Sequence, residues 1–179
     1  MDNLLLVAGT GRNSGKTTLI CAVIQKISAR EPVVAVKITP HWHAQRTPGK
    51  ILIDREDIYI VEETQPESSK DSARMLRAGA QKVFFVMAKD EQLEEAIPLL
   101  FDLIPPQTAV VCESGGLIRY VEPGLFLVLH RSDQTAPKAN LAQLQALANR
   151  WITFDGHKTD FDPETISYSS HTWKINPKN

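Results

Sequence analysis

A short glycine-rich segment near the start of the chain limits the possible folds more than any other feature. It covers residues 9–18 with the sequence GTGRNSGKTT and directly follows the apolar residues 4–8. Apolar positions then recur at helical spacing over residues 16–30, as on one face of a helix. A buried strand, a loop of small residues and an amphipathic helix, in this order, are the setting of a phosphate-binding loop.

The residue types of this loop suit the phosphates of a nucleotide. Small side chains let the main chain curl so that successive N–H groups point inward, and the helix N-terminus adds a partial positive charge. We expect Lys16 to neutralise the terminal phosphates and to act in catalysis, and the Thr17 hydroxyl to hold Mg²⁺. The predicted contacts to the nucleotide are Gly11, Arg12, Asn13, Ser14, Gly15, Lys16, Thr17 and Thr18.

One position departs from the usual pattern G-x-x-x-x-G-K-[ST]. The first glycine of that pattern falls on Thr10, which has Gly9 and Gly11 on either side. A glycine-rich loop with a purely structural purpose is the alternative interpretation. Because the strand, the loop, the GKTT sequence and the helix all follow in the required order, the segment favours phosphate binding.

An acidic residue that could complete a metal site ends a later apolar run. Residues 108–113 read TAVVCE, which is an apolar strand that ends in Glu113. We expect Glu113 to contact Mg²⁺ directly or through a water and to orient a hydrolytic water. The alternative is a surface acid at the end of a strand.

Three further polar residues are candidates for the same site. Lys37 ends the second apolar run, where a buried ammonium needs an anionic partner unless its long stem lets the charge reach solvent. His41 begins the sequence His-Trp-His, which could ligate a metal but fits an exposed loop better. Asp71 could contact the ligand, although Asp71 or Ser69 could instead cap the helix predicted over residues 69–78.

The sequence does not decide which base the nucleotide carries. Asp133 lies in the sequence HRSD after a predicted strand, where GTP-binding proteins often place the Asp of N-K-x-D that accepts hydrogen bonds from guanine. The Asn and Lys of that motif are replaced, and an Asp that caps a helix is the alternative. Residues 157–160, HKTD, are a second imperfect match. GTP and ATP therefore both stay open.

Strand-like and helix-like segments alternate along the chain. This alternation predicts an α/β fold with a mostly parallel sheet and helices on both faces. A polar stretch at about residues 41–68 interrupts the order with two short apolar pieces, which predicts a small hairpin excursion from the sheet edge. The polar tail at about residues 157–179 is expected to add an edge strand or to wrap the surface. With 179 residues, we expect a single domain over 1–179.

Composition excludes several classes of protein. Lys plus Arg total 20 and Asp plus Glu total 21, so the net charge of −1 argues against a nucleic-acid binder that depends on positive charge. No apolar run approaches the roughly 20 residues of a membrane span, and the N-terminus has no signal-peptide pattern. Cys21 and Cys112 lie in apolar segments without metal-ligand spacing. We therefore expect a cytoplasmic protein that binds neither membrane nor nucleic acid.

Taken together, the motifs resemble one known family. The loop GRNSGKTTL, the segment VKITPH and the stretch SSKDSARMLRAGA before a strand are similar in order to the molybdopterin-guanine dinucleotide biosynthesis protein B family, over about the first 115 residues. The resemblance implies a three-layer α/β/α P-loop NTPase fold that binds GTP with Mg²⁺ and is often dimeric. It further implies that the nucleotide or its delivered ligand is surrounded by Lys37, Thr39, His41 and Asp71. The Ser-Gly-Gly after Glu113 differs from that family's Gly-Phe-Lys type and indicates a divergent branch.

The sequence supports one leading function and two alternatives. The leading one, which follows the resemblance, is a nucleotide-binding protein with slow GTPase activity that assists the nucleotidyltransferase attaching GMP to molybdopterin. The first alternative is an ATP-dependent small-molecule kinase or ligase, in which Lys37 and His41 would bind the acceptor. The second is a nucleotide-gated binding module. We also expect the segment 51–61 to pack against its copy in a homodimer, because its apolar residues alternate.

Overall fold

The computed structural model describes residues 1–11, 13–41, 48–133 and 141–177, so the predicted contact of Arg12 lies outside the described residues. The strands are β1 (Leu4–Gly9), β2 (Val33–Thr39), β3 (Lys50–Asp54), β4 (Ile58–Glu62), β5 (Lys82–Ala88), β6 (Ala109–Glu113), β7 (Leu125–Arg131), β8 (Arg150–Phe154), β9 (Ile166–Ser169) and β10 (Thr172–Ile175). The helices are α1 (Lys16–Ser28), α2 (Asp71–Arg77), α3 (Leu93–Phe101) and α4 (Leu141–Leu147).

One large sheet organises the described part of the chain, with eight strands in the order β3-β4-β5-β2-β6-β1-β7-β8. Every neighbouring pair from β5 to β8 is parallel, while β3 and β4 extend the other edge as an antiparallel hairpin. β1 and β6 are buried along their whole length, as expected of parallel strands covered on both faces. The predicted α/β fold with a mostly parallel sheet is confirmed, and the predicted hairpin is part of that sheet.

Helices cover both faces of the sheet. Successive side chains of β1 point to opposite faces, so Leu5 and Val7 share a core with α1 and α2, while Leu4 and Leu6 share a core with α3. Burying one such aliphatic side chain contributes about 1.5–3 kcal/mol, so packing rather than helix propensity holds α1 in place. The predicted apolar stripe of α1 is buried and consists of Leu19, Ile20, Val23, Ile24 and Ile27.

The start of α2 differs from the prediction. Lys70 occupies the cap position and its side chain makes no capping hydrogen bond, while Asp71 is the first helical residue, so the prediction of Asp71 or Ser69 as the cap was wrong. The C-terminal end of α2, at Arg77, lies one residue before the end that the sequence predicts. Gly79 follows the last turn with φ +107, and the N–H groups of Gly79 and Ala80 bond to carbonyls of that turn, which ends the helix.

The C-terminal tail forms a separate two-stranded sheet, β9 and β10, rather than an edge strand of the main sheet. Ile166 and Trp173 are buried in the same core as the apolar face of α1. The Trp173 indole N–H donates to the carbonyl oxygen of Asn3 at 2.8 Å and ties the tail to the start of β1. Within the described residues, no helix has both the length and the apolar character needed to cross a bilayer.

Candidate functional site

The predicted site residues lie at the edge of the sheet where the parallel strands end. β1 ends at Gly9, β2 at Thr39, β6 at Glu113 and β8 at Phe154. β6 lies between β1 and β2 in the sheet. The loop after β1, the acid of β6 and the lysine of β2 therefore meet in one place, and this edge is where ligands bind in open α/β sheets.

The loop between β1 and α1 has a tightly curled backbone. Gly15, the residue before α1, has φ +82, and Asn13 has φ +53, so both lie in the left-handed region. A Cβ atom at Gly9 would lie 2.6 Å from the Ser14 hydroxyl oxygen and 2.8 Å from Cδ of Lys16, so a side chain at this position would displace both. The first turn of α1 contains no acidic residue, so the positive end of this helix is not neutralised from within.

The ammonium of Lys16 folds back over this loop. Its Nζ donates to the Gly11 carbonyl oxygen at 2.9 Å and to the Ser14 Oγ at 3.1 Å. Ser14 is fully buried, and its hydroxyl also donates to the Gly11 carbonyl oxygen at 3.3 Å. The lysine thus places a positive charge inside the curve of the loop.

Glu113 connects three other predicted site residues although it is only 4% exposed. Its Oε2 accepts a hydrogen bond from the Thr17 hydroxyl at 3.0 Å, and its Oε1 is ion-paired with the Lys37 ammonium. Lys37 and Glu113 are register partners in the parallel pair of β2 and β6, so their side chains lie on the same face. The Lys37 ammonium also lies 3.4 Å from the Asp71 carboxylate. The metal-binding acid proposed from the sequence is therefore the partner of Lys37.

Helix α2 adds a second layer of charge beside this cluster. Asp71 is ion-paired with Arg74 at 3.5 Å, and the Arg74 guanidinium donates to Thr18 Oγ1 at 3.2 Å. Glu63, a buried carboxylate, accepts a hydrogen bond from the Ser72 hydroxyl at 2.6 Å and holds the start of this helix. Asp71 can face the charged cluster because the helix is anchored by Ser72.

A cleft of about 510 Å³, which we call the first cleft, lies over the loop and the start of α1. Its opposite wall consists of Arg131, Phe154 and Gly156. The Arg131 guanidinium donates to the Asn13 carbonyl oxygen at 3.3 Å and, through Nε, to Asp133 Oδ1 at 2.8 Å. The hydrogen bond from Arg131 lowers the pKa of the Asp133 carboxyl below its ordinary value and raises the pKa of Arg131. Asp133 is thus ionised at neutral pH, and its pair with Arg131 links it to the site.

A second cleft of about 500 Å³ adjoins the first one. It is lined by Thr39, by His41 and by the loop 114–116 after β6. His41 is exposed there, and its backbone N–H donates to the Thr39 hydroxyl oxygen at 3.2 Å. The residues that line both clefts are Lys16, Lys37 and Glu113.

Most of the predicted residues meet at this edge. Gly11 and His41 line the second cleft, whereas Asp133 lines neither cleft and, among the described residues, is linked to the site by its pair with Arg131. The predicted residues that line the first cleft are Asn13, Ser14, Gly15, Lys16, Thr17, Thr18, Lys37, Asp71 and Glu113.

Four residues of the first cleft were not predicted from the sequence: Arg74, Arg131, Phe154 and Gly156. Arg131 stands two residues before Asp133, so their pairing could have been inferred from opposite charges on one strand end. Nothing in the sequence marks Arg74 or Phe154, because an arginine on a short helix and an aromatic residue at a strand end are both common.

The oxygen atoms of Thr17 and Glu113 are the site's candidate metal ligands. A hydroxyl and a carboxylate are hard donors of the kind that Mg²⁺ prefers, and Mg²⁺ usually takes its other ligands from phosphates and water. Among the described residues, no group of three or more His, Cys, Asp or Glu side chains is arranged to hold a metal ion.

Comparison with known proteins does not identify a family. No protein-family model matches the chain, and no match is found among curated proteins or among solved structures. The resemblance drawn from the sequence motifs stays a prediction.

Proposed function

We propose that the chain is a Mg²⁺-dependent purine-nucleotide-binding protein that takes GTP and hydrolyses it slowly. The observation that carries the proposal is the loop after β1, where the Lys16 ammonium and the start of α1 lie inside one curve of the main chain. Both features attract the phosphates of a nucleoside triphosphate. GTP is preferred over ATP on the motif resemblance alone.

Mg²⁺ would bind at Thr17 and Glu113. The two side chains already lie within hydrogen-bond distance, and both carry oxygen donors. When bound, the ion would neutralise charge on the terminal phosphates. Thr17 and Lys37 contact different oxygens of Glu113, so a divalent cation on the Thr17 side would leave the ion pair with Lys37 in place.

Lys16 and Glu113 are the residues we propose for hydrolysis. Lys16 would stabilise the negative charge of the terminal phosphate, and Glu113 would orient the attacking water. Both carboxylate oxygens of Glu113 are engaged, one by Thr17 and one by Lys37. Because both oxygens are engaged, the carboxylate would be a weak general base, which is consistent with slow hydrolysis of the nucleotide.

The nucleoside would lie against the wall opposite α1. Phe154 supplies aromatic surface there, and Arg131 supplies hydrogen-bond donors. Since Asp133 is already paired with Arg131, recognition of guanine by Asp133 requires the base to replace that pair. The variant Asp133→Asn is therefore informative about the base, and a loss of GTP affinity with unchanged ATP affinity would favour direct recognition.

The cellular role that we propose rests on the motif resemblance. It is assistance to a partner nucleotidyltransferase that forms molybdopterin guanine dinucleotide in the cytoplasm, with no role for nucleic acid or membrane. We also propose a homodimer through the hairpin of β3 and β4. In support, β3 is an edge strand and its Ile51 is 47% exposed.

Calorimetric titration with GTP and with ATP, each with Mg²⁺, tests nucleotide binding. The variant Lys16→Ala should weaken binding by about 10- to 150-fold, because a hydrogen bond to a charged group contributes about 1.5–3 kcal/mol. Lys26→Ala is the matched control, since Lys26 lies on the same helix but pairs with Glu164 away from the cleft. Equal affinity of the wild type and Lys16→Ala would contradict the proposal.

The second cleft favours one alternative function. A space of about 500 Å³ beside Lys16 can hold a small molecule, as in an ATP-dependent kinase or ligase. Such an enzyme hydrolyses its nucleotide slowly alone and is accelerated by its small-molecule acceptor. A nucleotide-binding accessory protein responds to its protein partner instead, so turnover with each type of addition separates the two.

A further inference from the structure

One arginine in the wall of the first cleft is held in place by its neighbours and still has hydrogen-bond donors left for a ligand. Arg131 is the last residue of β7 and the register partner of Phe154 in the parallel pair of β7 and β8. Register partners lie on the same face of a sheet, so the guanidinium and the aromatic ring share this wall. The ring lies over the end of the loop after β1, because a Cβ atom at Gly15 would be 3.3 Å from it.

The hydrogen bonds of Arg131 fix the plane of its guanidinium. Nε donates to Asp133 Oδ1 at 2.8 Å, Nη2 donates to the other carboxylate oxygen, and Nη1 donates to the Asn13 carbonyl oxygen at 3.3 Å. A guanidinium has five N–H donors in one plane. Within the part of the chain that the structure describes, these bonds use three of the donors, so one N–H remains on each terminal nitrogen.

The charge of this arginine is already balanced. The Asp133 carboxylate accepts two of its hydrogen bonds, and this contact lowers the pKa of the carboxyl, which is therefore ionised at neutral pH. A phosphate gains less at a balanced ion pair than at the ammonium of Lys16. A neutral group with two adjacent acceptors can use the remaining donors without disturbing the pair. The donors of Arg131 therefore suit the base of a nucleotide better than its phosphates.

The position of Arg131 in the sheet agrees with this assignment. Two strand spacings separate β6, which carries Glu113, from β7, and three separate it from β8. At about 4.8 Å for each spacing, the wall lies on the order of 10–14 Å from the proposed metal ligands, a span that the phosphates and the ribose can fill. A nucleotide with its terminal phosphate at Lys16 can therefore present its base to this wall.

We propose that Arg131 selects guanine by donating from its two remaining N–H groups to O6 and N7 of the base. Guanine carries these two acceptors side by side on one edge, whereas adenine has an amino donor in place of O6. An adenine base would set that amino group against the donors of Arg131. Asp133 is then a positioning residue, which holds the guanidinium in the plane of the base. The inference rests on the proposed function, and it derives a preference for GTP over ATP from a named side chain.

This mode of recognition differs from recognition of guanine by Asp133. A carboxylate would accept hydrogen bonds from N1–H and from the 2-amino group of the base, and the pair with Arg131 would first have to open. Inosine keeps O6 and N7 but lacks the 2-amino group. The base 7-deazaguanine lacks N7 but keeps the 2-amino group. Nucleotides of these two bases therefore distinguish the two modes.

Calorimetric titration of the full chain with Mg²⁺ and each nucleotide tests the proposal. ATP should bind about 5- to 150-fold more weakly than GTP, which is the range for one bidentate contact between an arginine and guanine. ITP should bind within about twofold of GTP, because it keeps both acceptors. The analogue 7-deaza-GTP should bind at least about threefold more weakly than GTP, because one hydrogen bond to the base is lost.

A variant then separates Arg131 from the rest of the wall. Arg131→Gln replaces two donors by one donor and one acceptor, which is the pattern that pairs with adenine, so the ratio of GTP affinity to ATP affinity should fall at least about fivefold. The ratio cancels any effect of the variant on the bound phosphates. Arg119→Gln is the matched control and should leave the ratio unchanged. Arg119 is also paired with an aspartate, Asp90, but it lines neither cleft.

Each failure has a distinct meaning. If GTP does not bind, the proposed function and this inference fail together. If GTP binds but ATP or 7-deaza-GTP binds equally well, or if Arg131→Gln leaves the ratio unchanged, selection of guanine by Arg131 is refuted and nucleotide binding stands. If ITP binds more weakly than the stated limit, the 2-amino group is recognised, which refutes the assignment to Arg131 and supports recognition by a carboxylate.

Discussion

Replacing Lys37 by methionine should destabilise the protein through the carboxylate that it leaves behind. In Lys37→Met, Glu113 keeps its hydrogen bond from Thr17 at 3.0 Å but loses its ammonium in a position that is 4% exposed. Removing one partner of a buried ion pair costs about 3–5 kcal/mol, and we expect about 3 kcal/mol because the Lys37 side chain is partly exposed. For a chain of this length, that loss lowers the Tm by roughly 6–12 °C.

Urea unfolding measures this loss as a change in the free energy of unfolding at constant m-value. Adding Glu113→Gln to Lys37→Met removes the unpaired charge and keeps an acceptor for Thr17, so more than half of the loss should be recovered. Lys89→Met, which breaks an exposed pair with Asp57, should cost less than about 1 kcal/mol. A cost of less than about 1 kcal/mol for Lys37→Met, or no recovery in the double variant, would show that Glu113 does not depend on the Lys37 charge.

Three further predictions concern the loop, the opposite wall and the sheet edge. Gly15→Ala should lower the free energy of unfolding by about 1–2 kcal/mol in urea, because φ is +82 and the new Cβ would lie 3.3 Å from the Phe154 ring. It should also weaken nucleotide binding in calorimetry. Unchanged stability would count against the described loop conformation. Arg131→Gln should raise the pKa of Asp133 in an NMR titration, because the Arg131 hydrogen bond lowers that pKa in the wild type. In the wild type, the stability that Asp133 contributes is present at neutral pH and is lost as the pH falls through the lowered pKa. Ile51→Lys should turn a dimer into a monomer in light scattering, whereas a wild type that is already monomeric at micromolar concentration argues against the homodimer.

The sequence predicts the sheet well because its strands are continuous apolar runs. Residues 4–8 and 108–113 have almost no polar interruption, and such runs are stable only where both faces are covered. The hairpin of β3 and β4 was also predicted from two apolar pieces around a charged turn. Its direct pairing with β5 was not, because strand order depends on packing between segments that are distant in the chain.

Local patterns are less informative about the site. The curled backbone before Lys16 was predicted from the glycines of the loop, because positive φ and close approach of the backbone favour glycine. The pairing of Lys37 with Glu113 depends on the register of two strands that are more than 70 residues apart, which no local pattern encodes. Asp71 shows that a local pattern can also mislead. Its position suggested a cap, but the start of α2 is held by Ser72 and Glu63, which leaves the carboxylate beside Lys37.

A crystal structure of the protein with Mg²⁺ and a non-hydrolysable GTP analogue at saturating concentration would show whether the loop before α1 holds a nucleotide. We expect the loop and Lys16 to bind the phosphates and the metal ion to lie at Thr17 and Glu113. A loop without ligand, with the Lys16 ammonium still bonded to the Gly11 carbonyl oxygen, would rule out the proposed nucleotide site.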